Sequence, residues 1–367
     1  MTPTPPAETS PSPSESPPPA PARPGGVGAA RFEASELEAV LGRYDLGRID
    51  SIREFTRGSP GAPKVLVAGP EGKFLVKRRA PGEDHPHQVA FCHALHLHLL
   101  ERGFPAPALI GTRDDNNSML QLDGRVYEVT EFVEGDPFDR SPEGAGAAAR
   151  VLARFHAGAA SLHNPWRSPP DFAHADERSE ILLDRCLDRL GVGQSSLIDA
   201  VRALWRRGVE ELDHAGIAAW PRLLLHADWH PGNVVFRGRQ VRAVLDYDSC
   251  RRGPRVVDVA AGVLHFSMQA AEGSGAPDPS RWAAEPDAVR ARAFLGGYQE
   301  VVGGLSGAER AALAPAMAGA MIAESLPPPA TTGAFAGIPG AAFLDMVRRK
   351  SAWLLDHAGA VAELGSA

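Results

Sequence analysis

The chain has 367 residues, 44% hydrophobic and 23% charged, a length and composition that suit one large globular domain or two modest lobes around a cleft. A formal charge of -7 excludes the basic footprint of a general nucleic-acid binder, and no apolar run approaches the roughly 18 residues that span a membrane. With no C-x-x-C pair and no apolar leader, Cys92, Cys186 and Cys250 read as structural thiols of a reduced, cytoplasmic protein without nucleic-acid or membrane partners.

Residues 1–28 are Pro- and Ser-rich with almost no large apolar side chains; such a stretch cannot bury enough surface to offset its ordering entropy and is predicted to be a disordered tail. Helical spacing follows at Phe32, Leu37, Val40 and Leu41, then a strand over 49–55. A Gly/Pro loop over 57–63 leads into a hairpin, with Val65–Val67 and Phe74–Val76 flanking the turn Gly69–Gly72. An amphipathic helix carries Val89, Phe91, Cys92, Leu95 and Leu99 and stops at Arg102-Gly103-Phe104-Pro105. Alternation returns at 109–110, 119–122 and 126–133, and Glu134-Gly135-Asp136-Pro137 ends the last strand. Residues 29–133 therefore form an N-terminal lobe, of which 45–133 is a small antiparallel sheet with one helix on it.

Residues 134–367 change character. Helices are predicted over 145–162, 179–190, 196–215, 259–270, 288–302, 308–325 and 343–358, with short strands at 222–225, 234–236 and 241–245. There is no internal repeat. A mostly β lobe before a mostly α lobe is an α+β, two-lobed plan with a cleft between the lobes.

The chemistry concentrates between His226 and Asp248. Phosphoryl transfer needs a group to orient the acceptor hydroxyl, ligands for magnesium and positive charge on the phosphates. Asp228 lies in a polar loop between apolar strands and can accept or align a hydroxyl. Asn233, five residues on, can turn back through Pro231-Gly232 to offer its amide oxygen to Mg²⁺. Asp246, thirteen residues further, ends the next strand with a hard carboxylate. Each residue alone suits a turn, but the joint pattern with strands on both sides points to a kinase.

His226-x-Asp228-x-x-x-x-Asn233 with Leu245-Asp246-Tyr247-Asp248 resembles the signature of the aminoglycoside phosphotransferase, choline kinase and homoserine kinase superfamily. The likeness runs over most of 45–355, including Gly103–Pro107, Glu131–Gly135 and Asp258-Val259-Ala260. It lies closer to the homoserine kinase type II and spore-coat-associated branches than to antibiotic-modifying members. It implies a protein-kinase-like fold and an ATP- and Mg²⁺-dependent enzyme that phosphorylates a hydroxyl of a small metabolite, such as an amino alcohol, a homoserine-like compound or a sugar. Asp228 would be catalytic, and Asn233 and Asp246 would hold magnesium. His226 and His230 would brace the loop, and Asp258 would buttress it from the following helix.

By the same resemblance Lys77 would contact the α- and β-phosphates, although Lys77-Arg78-Arg79 also reads as a solvated charge run. Gly58, Ser59 and Gly61 would cover the phosphates through backbone N–H groups, and Glu131, Phe132 and Val133 would offer backbone to adenine. One departure stands out. Many relatives carry a Glu in the small-lobe helix that pairs with the strand Lys, whereas Val89–Leu95 contains no acid. Gln88, His93, Glu83 and Asp84 are possible substitutes. His85, His87, His93, His96 and His98 read as a polar helical face, since nothing completes a metal set around them.

On the acceptor side, Trp229, Tyr247, Asp248, Arg251 and Glu324 are candidate substrate contacts, and the Pro-rich stretch 324–335 is either a shaped loop over the pocket or a plain connector. Two competing readings are a catalytically silent nucleotide-binding protein, prompted by the missing helix Glu, and a metallohydrolase using His226, Asp228 and His230. The apolar C-terminal helices serve equally as core or as interface.

Overall fold

The computed structural model describes residues 30–58, 61–164, 166, 168–269 and 278–365; the expected tail over 1–28 and Ser59 lie outside them. Helix α1 (Ala34–Leu41) precedes strands β1 (Ser51–Glu54), β2 (Lys64–Gly69) and β3 (Gly72–Arg78). Helix α2 (Pro86–Glu101) then leads to β4 (Leu120–Leu122) and β5 (Arg125–Glu131). The five strands form one antiparallel sheet in the order β1-β2-β3-β5-β4.

The pleat of this sheet sorts the Lys77-Arg78-Arg79 run. Period-two alternation turns Lys77 and Arg79 to one face, where both are buried, and Arg78 to the other. On that second face Val65, Val67, Val76, Tyr127 and Val129 build a small core with Val40 and Tyr44. There Glu36 of α1 accepts hydrogen bonds from Arg78 (2.6 Å), Tyr127 Oη (2.7 Å) and Arg125 (3.0 Å). Burial would raise the Glu36 carboxyl, but Arg78 and Tyr127 outweigh it and hold it at about 2, against 4.5 ordinarily. A depressed carboxylate stabilises the fold above the unfolded pKa and loses that contribution as pH falls through the folded one. Glu36 should contribute roughly 1–2 kcal/mol after solvent screening, lost between about pH 4.5 and 2. In acid-unfolding curves Glu36→Gln should flatten this limb; an unchanged curve would show that the cluster carries no net stability.

The remainder is mainly helical. Helices α3 (Pro142–Ala159), α4 (Glu177–Leu190) and α5 (Ser195–His214) precede the short strands β6 (Leu223–Leu225), β7 (Val234–Arg237), β8 (Gln240–Val244) and β9 (Arg251–Gly253). Then come α6 (Val256–Ser267), α7 (Ala288–Val302), α8 (Gly307–Ala311), α9 (Leu313–Ser325), α10 (Pro327–Thr332), the hairpin β10 (Ala334–Phe335) and β11 (Ile338–Pro339), α11 (Gly340–Asp356) and α12 (Ala358–Glu363). Several starts are capped as their sequences demand: Ser141, Asp176 and Asp287 each accept a first-turn amide. Strands β7 and β8 form a hairpin, and β9 returns to pair with β6.

Three expectations change. The helix anticipated over 308–325 breaks at Ala312 into α8 and α9. The stretch 324–335 is largely helix α10, because prolines in a first turn forfeit no internal hydrogen bond. Helix α2 is not an outlying cover for the sheet: Phe91, Cys92, Leu95 and Leu99 join the main core with α3 and strands β6, β7 and β8. Two of the five histidines expected on a polar face accordingly leave it, while His85 and His87 stay exposed. His93 and His96 are buried, His93 on Glu128 and Ser118, and His96 on the Pro107 carbonyl. All three cysteines are free and buried. Among the described residues no helix is long and apolar enough to cross a membrane.

Candidate active site

Asp228 follows β6 in a loop whose course is set by a buried carboxylate. Asp258, fully buried in the first turn of α6, accepts from the amides of His226 (2.7 Å) and Ala227 (2.8 Å). It also receives Nε2 of His156 from α3 (3.0 Å), and His156 Nδ1 meets Tyr298 Oη of α7 (2.8 Å). Ala227 adopts a left-handed φ of 60°, which costs a non-glycine residue about 1 kcal/mol or more. The two amide bonds to Asp258 hold this reversal and deliver Asp228 beyond it. His226 is buried, with Nε2 bonded to the Leu245 carbonyl (3.0 Å).

The Leu245 amide in turn donates to the Asn233 carbonyl (2.8 Å). Leu245 is thus tied on both sides to the loop containing Asp228, which places Asp246 beside it. Asp246 also has a left-handed φ, 62°. Asn233 donates its amide nitrogen to Asp228 Oδ2 (2.7 Å), so its amide oxygen is the atom left for a cation. His230 Nδ1 accepts from the Gly232 amide (3.0 Å), and its Nε2 lies 3.5 Å from Asp228 Oδ1. Burial would raise the Asp228 carboxyl, but the His230 hydrogen bond and the neighbouring imidazoles and Asn233 hold it at about 2. Burial likewise pushes Asp246 up, and Lys77 and Lys64 bring it below the ordinary range.

Lys77 meets this loop from the sheet. Its Nζ lies 3.4 Å from Asp246, contacts Asp248, and stands 3.4 Å from Glu128. Burial would lower the Lys77 pKa, but the Asp248, Glu128 and Asp246 charges together raise it. Across the sheet, Lys64, Lys77 and Glu128 occupy one row of β2, β3 and β5. Among the described residues no carboxylate lies within ion-pair distance of Lys64, whose pKa is lowered by burial and by Lys77. Gly58, with φ 96°, passes so close over Lys64 that a Cβ there would sit 2.5 Å from its Nζ. Gly61 is half-buried in the same loop. In the connection after β5, the amides of Glu131 and Phe132 are taken by Ala108 and Lys73 (2.8 Å each). Among the described residues the Val133 amide has no protein partner.

Other residues fall elsewhere than the sequence reading put them. Trp229 is 1% exposed and packs edge-on against His226, and Tyr247 stacks on His96 at 4.3 Å; both are core, because the apolar loop flank must be buried. Asp248 does not line the cleft as a substrate group: it is held by Lys77 and by Arg79 (2.8 Å). Arg251 lies in β9 with Nε on the Ser249 carbonyl (2.9 Å). Glu324 stands partly exposed, bonded to His265 (2.6 Å), whose ring is 5.9 Å from that of His230. Among the described residues no group of three or more His, Cys, Asp or Glu could hold a metal, and His226 is committed to Leu245, so the metallohydrolase reading has no site.

Sequence reasoning missed Lys64, Arg79, Glu128, His156 and His265. For Lys64 a signal existed: a hairpin closing at Gly69↔Gly72 puts Lys64 opposite Lys77 by counting. None existed for Glu128, whose strand is buried on both faces over 126–129.

The comparisons fall on this same region. The profile described as "Phosphotransferase enzyme family" matches residues 52–301. The chain is 29% identical over 293 residues to a homoserine kinase of Bradyrhizobium diazoefficiens, covering 76% of this chain and 79% of that protein. It is 29% identical over 281 residues to a homoserine kinase of Pseudomonas aeruginosa, covering 72% and 77%. In fold it is similar to a microcompartment-associated aminopropanol kinase (TM-score 0.66, 17% identity, 90% of this chain and 99% of that one). It is also similar to amicoumacin kinase in complex with AMP-PNP, Ca²⁺ and Ami (TM-score 0.64, 12% identity, 89% and 94%). The α+β two-lobed, kinase-like fold read from the sequence is the fold of these structures. Matched by that profile over more than half its length, the chain belongs to the phosphotransferase enzyme family.

Proposed function

We propose that the protein transfers the γ-phosphoryl group of ATP to a hydroxyl of a small amino-alcohol metabolite, homoserine-like in size. The observation that carries this reading is the placement of an ionised, Asn233-bonded Asp228 beside Asp246, which the strand-borne Lys77 reaches at 3.4 Å. Bound magnesium would supply charge neutralisation on the phosphates. The Asn233 amide oxygen and the Asp246 carboxylate are the hard donors that fit it.

The chain's own residues divide the rest of the work. A carboxyl held at about 2 is a weak base at neutral pH, so Asp228 chiefly aligns the acceptor hydroxyl for in-line attack and takes its proton late. Lys64, which lies close to Gly58, and Lys77 place positive charge where the phosphates would lie. The Val133 amide is the free donor for adenine in the segment Glu131–Val133. His265 and Glu324 flank the Asp228 side and give an acceptor amine a carboxylate to meet. The curated relatives at 29% identity are named homoserine kinases, which supports the amino-alcohol class. The silent-binder reading loses its motive, since Lys77 has carboxylate partners without a helix Glu.

ADP release with Mg²⁺ and ATP, measured across L-homoserine, short amino alcohols and sugars, tests the proposal. Turnover is expected for an amine-bearing alcohol. Nucleotide binding without ADP release across the whole panel would favour the silent binder.

A further inference from the structure

Helix α2 carries no acid where many relatives place the partner of the strand lysine, and His93 lies in that stretch. The structure shows what His93 does there. Its Nε2 contacts Glu128 Oε2 at 2.8 Å, and its Nδ1 is anchored by Ser118 Oγ at 2.9 Å. A carboxylate only accepts, so Nε2 carries a proton and donates a hydrogen bond to Glu128. Arg79 binds the same Oε2, through Nε at 3.1 Å and Nη2 at 2.8 Å. With Oε2 occupied by the imidazole and the guanidinium, Oε1 is the atom that faces Lys77, at 3.4 Å.

We infer that Glu128 of β5, clamped by His93 and Arg79, is the positioning residue for the phosphate-binding Lys77, in place of a helix-borne acid. The inference rests on the phosphate role proposed for Lys77. Its geometry differs from a helix–strand pair in one consequential way. Lys77 and Glu128 are direct cross-strand partners in adjacent strands, so their spacing is set by the ladder and not by how the helix sits. The helix contributes a hydrogen-bond donor that orients the carboxylate. Because α2 is packed into the main core, that donor is held still as well.

Glu128 is buried together with Lys77, Arg79 and His93. Burial pushes its carboxyl up, but Arg79, Lys77 and then His93 overcome this and keep it well below the ordinary range. An ionised carboxylate here balances one of two buried cations, and Asp248 balances the other. When the phosphates draw on Lys77, Asp248 still has Arg79, while Glu128 Oε1 continues to fix the ammonium laterally.

The test compares dissociation constants for MgATP and for adenosine, which lacks phosphates, by titration calorimetry. Glu128→Gln should weaken MgATP binding about tenfold or more, as removing one charge of a buried ion pair does, and leave adenosine within about twofold. The double variant Glu128→Gln, His93→Glu returns the acid to the helix and should recover most of the MgATP affinity. Equal losses for the two ligands, or no loss for either, would overturn the inference. Should Glu128→Gln fail to fold, Glu128→Asp keeps the charge but withdraws it from Lys77. It should show a smaller loss confined to MgATP, and the same equal or null losses overturn the inference there too. Lys77→Ala is the control. If it leaves MgATP affinity intact, the phosphate role of Lys77 fails; if it weakens binding while the Glu128 variants do not, only the positioning role fails.

Discussion

Asp228→Ala should lower turnover by about a thousandfold or more with a confirmed acceptor, while nucleotide still binds. The selectivity follows from the geometry. Asp228 touches Asn233 and His230 but neither Lys77 nor the Gly58 loop, so removing it takes away hydroxyl alignment and leaves the phosphate cations in place. Asp246→Ala should behave in the opposite way and weaken Mg²⁺-dependent nucleotide binding. Single-turnover phosphate transfer and nucleotide titration on the same preparations separate the two. Near-wild-type turnover in Asp228→Ala would remove that residue from its assigned role.

The largest stability effect is expected at Asp258. Its two oxygens accept from the His226 and Ala227 amides and meet His156, with no solvent to replace it. Asp258→Ala strands two buried N–H groups and an imidazole, and releases the left-handed Ala227. Losing one member of such a buried charged network costs about 3–5 kcal/mol. Urea unfolding should show this loss, and turnover should fall even though Asp228 is unchanged, because the loop no longer has a reason to reverse at Ala227. Asp258→Asn, which keeps one accepting oxygen, should lie between the two. A loss below about 1 kcal/mol with full turnover would mean the loop is held by other contacts.

The elements were legible where a local rule wrote them. The hairpin at Gly69–Gly72 and the strand–loop–strand around Asp228 are local in sequence, whereas the equally local caps at Ser141 and Asp176 went unread, and their helices begin before the expected 145 and 179. The residues of the family signature were legible too, since Asp228, Asn233 and Asp246 sit within one short excursion whose hydrogen bonds span few residues. Residues were misread where partners are distant. Asp248 looked like a cleft residue, but Lys77 and Arg79, far upstream in the chain, claim its carboxylate. Trp229 and Tyr247 looked available because their neighbours carry the family signature; their rings are largely apolar and the core took them.

The sequence by itself determined the α+β plan, the strand–loop–strand that carries Asp228 and Asn233, and the strand end that presents Asp246, because periodicity and turns act over a few residues. The tertiary structure alone decided which charges meet. Lys64, Lys77 and Glu128 form one row only when β2, β3 and β5 pair in register, and His93 reaches Glu128 only when α2 packs across that face. Buried ion pairs are set by such long-range pairing, since a charge removed from water is stable only where a distant strand or helix supplies its partner.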